Sequence, residues 1–146
     1  MTRQDMTPGQ LADQLTAGLD GPHADEHTTA AAGLASEAIR FLNYATGPHS
    51  DAGLTRPATV YRVTSSLAEA AGRLPQMFAQ FTGWLDAECA AGRLGDDHGG
   101  PVTVLTDRAR CHLDQAARHA AALSDALAAA QSALATVHGT PEGARS

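Results

Sequence analysis

The sequence predicts an all-α protein: an antiparallel helix bundle with a long kinked helical hairpin (57–92 against 102–138) and one or two helices before it. Three observations carry that expectation. Alanine fills 31 of the 146 positions, and Ala has the highest helix propensity because it loses no side-chain entropy. No stretch alternates apolar and polar residues with period two, whereas several repeat at three and four residues, which is the mark of a helix face. Segments rich in Gly, Pro and Asp, 47–56 and 95–101, punctuate those stretches as loops do. The length fits one helical domain, 1–146, with 1–6 and 139–146 as disordered tails.

Taken in order, Thr7-Pro8-Gly9-Gln10 is a capping box with Pro at the first helical position, so a short helix is expected from Pro8 to Leu19, with Leu11, Leu15 and Leu19 on one face. Pro22 opens a second helix. Asp25 and Glu26 suit the positive end of its dipole, and Leu34, Ala38, Phe41, Leu42 and Ala45 form its apolar stripe, with a stop at Gly47-Pro48. A third helix starts at Pro57 on the stripe Val60, Thr64, Leu67, Ala71 and Leu74. Pro75 predicts a kink or tight break, after which Phe78, Phe81, Leu85 and Cys89 resume the pattern as far as a C′ glycine at Gly92. The last helix, Val102 to His138, shows Leu113, Ala116, Ala120, Leu123, Leu127, Ala130, Leu134 and Val137 in unbroken heptad spacing, which predicts the buried seam. Asp107 is spaced to pair with Arg110, and Asp114 with Arg110 and Arg118.

The formal charge of −6 argues against non-specific binding to nucleic acid or anionic membrane, both of which require a basic face. Arg108, Arg110 and Arg118 form the one basic cluster, and Asp107 and Asp114 interleave with it. No apolar run approaches membrane-spanning length and no signal peptide is recognisable, so a cytoplasmic protein is expected. Cys89 and Cys111 are expected to be free thiols, Cys89 as a small apolar filler.

Few residues suggest chemistry. His23-Ala24-Asp25-Glu26-His27 matches H-x-x-E-H, in which two His one turn apart would hold zinc and the Glu would act as base. The same residues fit a solvated helix start, where acidic side chains suit the dipole. Asp96, Asp97 and His98 read as a polar turn in preference to a cation site. His112 and His119 lie two turns apart, too far to share a metal. No phosphate-binding loop, nucleophile elbow or carboxylate pair is present. The reading therefore assigns no catalytic residue, no metal ligand and no cofactor.

Met77, Phe78, Phe81, Trp84 and Leu85 concentrate bulky side chains in three turns. Such a stripe is ordinarily core, because apolar burial is the main folding force. Its other use is a partner-binding face, for which Met77, Phe81 and Trp84 are the candidates. The expected function is a non-enzymatic interaction or regulatory module whose partner is another protein or a second copy of itself, with no nucleic acid and no membrane. The alternative is a metal-binding or metal-dependent hydrolase bundle built on the H-x-x-E-H segment. Because each hairpin arm would span roughly 54 Å and the second helix only about 37 Å, the short first helix is expected to act as a lid over Phe81 and Trp84.

Lys is absent, and Ile39 and Asn43 are the only Ile and Asn, a usage typical of GC-rich genomes. The segments Arg40-Phe41-Leu42-Asn43-Tyr44-Ala45-Thr46 and Arg73-Leu74-Pro75-Gln76, with Gly83-Trp84-Leu85 and Ala91-Gly92-Arg93, resemble a group of small uncharacterised actinobacterial all-helical proteins over roughly Ser36 to Val137. The resemblance implies a helical fold and no particular activity.

Overall fold

The computed structural model describes residues 24–48 and 53–139, in two units, Met1–Gly53 and Leu54–Ser146. Three helices make up most of the described residues, and there is no strand among them.

In the first unit, α1 runs from Asp25 to Ala45. Ala24 caps it in extended conformation without a side-chain bond, and Asp25 and Glu26 stand in its first turn, where the dipole favours negative charge. Thr46 closes it, its backbone N–H and its hydroxyl both donating to the Leu42 carbonyl (2.9 and 2.8 Å). No residue of α1 is buried; the predicted stripe residues Leu34 and Phe41 are exposed, as are Ile39 and Tyr44. The expected helix Pro8–Leu19, and with it the lid, lies outside the described residues.

The second unit is the antiparallel hairpin of α2, Pro57–Ala90, and α3, Val102–Leu134. Pro57 opens α2 as expected, since its fixed φ suits a first turn and its missing N–H would have had no helical partner there. Of the kink or tight break expected at Pro75, the break is absent, and α2 is continuous through it. Pro75 has no N–H to give the Ala71 carbonyl, but that is one bond among many, and Ala71 beside it is only 4% exposed. Helix α3 stops at Leu134, four residues short of the expected His138.

At the end of α2, Gly92 (φ +67°) donates to the Cys89 carbonyl and Arg93 to that of Glu88, a Schellman motif that needs glycine's access to the left-handed region. The Arg93 guanidinium then folds back on the Glu88 carboxylate through two 2.6 Å bonds. These bonds hold the Glu88 carboxyl below its ordinary value. In the connection, Asp96 organises a turn: its carboxylate accepts from His98 N (3.0 Å) and Gly100 N (2.9 Å), and its carbonyl accepts from Gly99 N.

The seam follows heptads, but not those the sequence predicts. On α3 the buried and half-buried line is Thr106, Arg110, Leu113, Ala117, Ala120, Ser124, Leu127, Gln131 and Leu134. Leu113, Ala120, Leu127 and Leu134 are shared with the expectation. The second row is Ala117, Ser124 and Gln131, whereas Leu123, 51% exposed, and Ala130 and Val137 lie outside it. On α2 the matching line is Thr64, Ala68, Ala71, Pro75, Phe78, Thr82, Leu85 and Cys89.

Close approach explains the choice of row. The buried hydrophobic side chains among the described residues are Ala68, Ala71 and Ala120. Ser124 Oγ donates across the seam to the Ala68 carbonyl at 2.9 Å, and a Cβ on Gly72 would meet that same Oγ at 3.1 Å. A leucine in the place of Ser124 would hold the backbones apart. Two heptads further along, Arg110 makes the expected pair with Asp107, and its second partner is Asp86 of α2 at 3.2 Å in place of the expected Asp114. Fourteen residues separate Gly72 from Asp86 and Ser124 from Arg110, so one register holds over that span.

Candidate functional site

The hairpin has two different flanks, and the difference follows from the sequence once the seam is known. Each helix carries a row one step outside the seam. On one flank these outer rows are Val60, Leu67, Leu74, Phe81 and Glu88 of α2, and Val102, Ala109, Ala116, Leu123 and Ala130 of α3. The next row outward on α2 contains Met77 and Trp84, and on α3 Leu105, His112 and His119. Along the helical stretches of these four rows the only Asp, Glu or Arg is Glu88, already bonded to Arg93. The corresponding rows of the other flank carry Arg62, Glu69, Asp86, Asp107, Asp114, Arg118 and Asp125.

The aromatic stripe divides between seam and surface. Phe78 and Leu85 are half-buried in the seam, whereas Met77, Phe81 and Trp84 are 36%, 43% and 58% exposed. Their four- and three-residue spacing aligns these three on one side of α2. Phe81 is also braced from below, its ring edge-on to that of Phe78 with centroids 6.4 Å apart. A large apolar surface held in place without being buried can bind a complementary surface at little ordering cost.

The sequence missed the α3 side of this surface. Leu123 was expected in the seam and stands exposed on the apolar flank, where Leu105 is exposed as well. No local signal separates these positions, because a leucine at heptad spacing reads alike in either of two adjacent rows.

The other candidates are dispersed. Glu26 and His27 are exposed in the first turn of α1, and His23 lies outside the described residues. Among the described residues no three His, Cys, Asp or Glu side chains gather closely enough to hold a metal ion. Both Asp96 carboxylate oxygens are engaged by backbone N–H groups, which makes Asp96 a turn residue. His112 and His119 are exposed. Cys89 is half-buried 3.7 Å from the Thr106 hydroxyl, Cys111 is exposed, and both are free thiols.

These features define an all-α hairpin protein with one apolar and one charged flank, and no described helix is long and apolar enough to cross a membrane. No protein family, curated protein or solved structure matches the chain.

Proposed function

We propose that this protein is a non-enzymatic interaction module whose working surface is the apolar flank of the hairpin, with Met77, Phe81 and Trp84 as its anchors. The observation that supports it is the exposure of these three side chains on one side of α2, on a flank carrying a single, already paired charge. Interface cores are enriched in aromatic residues and Met and depleted of charge, which is the composition found here. Trp and Tyr anchors also dominate binding energy where they are measured.

A benzophenone side chain introduced at Trp84 in the full chain tests the reading. Irradiated in an extract of the native host, it is expected to give a discrete adduct with a polypeptide, which the same probe at Ala121 on the other flank does not give. Equal labelling from both positions, or none from either, would overturn the reading. Elemental analysis of the purified full chain bears on it from another side. Stoichiometric zinc, lost on changing His27, would favour the His23, Glu26 and His27 segment as the working part.

A further inference from the structure

The apolar flank has a length, an area and a charge distribution that together select its occupant. Helices α2 and α3 contain 34 and 33 residues, so at 1.5 Å per residue the flank runs about 50 Å. An occupant that covers it must present an apolar stripe of equal length. A second hairpin identical to the first matches it end to end.

Two adjacent helices, each about 10 Å across, make this face roughly 1,000 Å². A standard stable interface takes about 800 Å² from each partner. The charge pattern agrees. A two-fold contact buries the same patch on both copies, residue i meeting j and j meeting i, so every unpaired charge on a self-docking surface is buried twice and such a surface must be poor in them. This flank has Glu88 alone, paired with Arg93, whereas the other flank would have to bury Arg62, Asp114, Arg118 and Asp125 besides its ion-paired Glu69, Asp86 and Asp107. Among the described residues the hairpin's buried side chains are three alanines, and helical layers become stable by covering one another's apolar face.

We infer that the occupant is a second copy of the chain, the apolar flanks of two hairpins closing a four-helix bundle around Leu74, Phe81, Trp84 and Leu123. This rests on the reading of that flank as a binding surface and names its partner. In the dimer, two α2–α3 hairpins pair face to face as in other antiparallel bundles.

Sedimentation equilibrium of the full chain from micromolar to submillimolar concentration is the first test. The expected result is twice the 15.0 kDa chain mass. Leu123→Glu should weaken the dimer by about a hundredfold or more, as burial of an unpaired charge in an interface core does. Ala121→Glu, on the other flank, should leave the mass unchanged. Should Leu123→Glu fail to fold, the otherwise unaltered chain still decides. Light and isotopically heavy copies carrying the benzophenone at Trp84 are mixed and irradiated, and mixed-isotope peptides ending on α2 or α3 are expected. A monomer at every concentration, or adducts joining only same-isotope peptides, overturns the inference. If such a monomer still labels another polypeptide from Trp84, the binding-surface reading survives without the second copy. If it labels nothing, both fall.

Discussion

Replacing Ala120 by Leu tests the close approach on which the hairpin depends. Ala120 is 6% exposed and lies one turn before Ser124, which meets Ala68 and Gly72, so the same register sets it beside the next turn of α2, between Ala71 and Phe78. Three added carbon atoms there have no space to enter, so the helices must separate or the side chain must leave its preferred rotamer, at a cost of about 1–3 kcal/mol. Separation also breaks the Ser124 to Ala68 bond, a loss of about 1 kcal/mol. Helix propensity contributes little, since Leu ranks close behind Ala. The total of about 2–4 kcal/mol corresponds to a fall in Tm of roughly 8–30 °C for a unit of this size. Ala122→Leu, two residues on and exposed, is the matched control and should change stability by less than about 0.5 kcal/mol. Thermal and urea unfolding followed by circular dichroism at fixed protein concentration compares the two. Equal melting of the two variants, or a higher melting point for Ala120→Leu, would refute the argument that alanine sets the helix separation.

Other perturbations reach different parts of the hairpin. The Thr82 hydroxyl is enclosed without a hydrogen-bond partner, so the isosteric Thr82→Val should stabilise by about 1 kcal/mol; a destabilised variant in urea titration would mean that the hydroxyl is bonded. Gly92→Ala forces a Cβ into the left-handed region at φ +67° and should cost about 1–2 kcal/mol in the same titration; an unchanged midpoint would mean that the Schellman motif does not hold in solution. The Glu88 carboxyl is held below its ordinary value of 4.5 by Arg93, so its contribution is present above 4.5 and is lost as pH falls through the lower folded value. The difference in melting temperature between the parent and Glu88→Gln should therefore shrink below pH 4.5, and a difference constant with pH would exclude the pairing.

The two ends of α2 were legible because they are local chemistry. Pro57 at a first helical position and Gly92 just beyond a last one do what their backbones allow, whatever packs nearby. The Asp96 turn was legible for the same reason, since a carboxylate accepts from N–H groups two and four residues on. Long-range pairings were not. Nothing local says that Arg110 meets Asp86, 24 residues away, in place of Asp114 one turn along its own helix. At Pro75 the sequence left a kink or a break open, and only the break is excluded, because α2 is packed along its length and runs on through the proline.

The seam's second row shows where hydrophobicity and packing part. Apolarity alone selects Ala116, Leu123, Ala130 and Val137, the rows' largest side chains included, over Ala117, Ser124 and Gln131. Two helices that meet at Ala68, Ala71 and Ala120 lie too close there for that choice, and the row that offers Ala117 and the Ser124 hydroxyl at that level turns inward instead. The leucine is thereby freed for the flank. A hairpin closed by its small residues turns its large ones, Leu74, Phe81 and Leu123, toward whatever lies on that side. The rule that makes the sequence look like one buried heptad seam is therefore also the rule that leaves this chain with a second apolar surface. Its candidate site was half legible for that reason: Met77, Phe81 and Trp84 stand out by size on α2, whereas their counterpart on α3 becomes visible only after the seam's register is fixed.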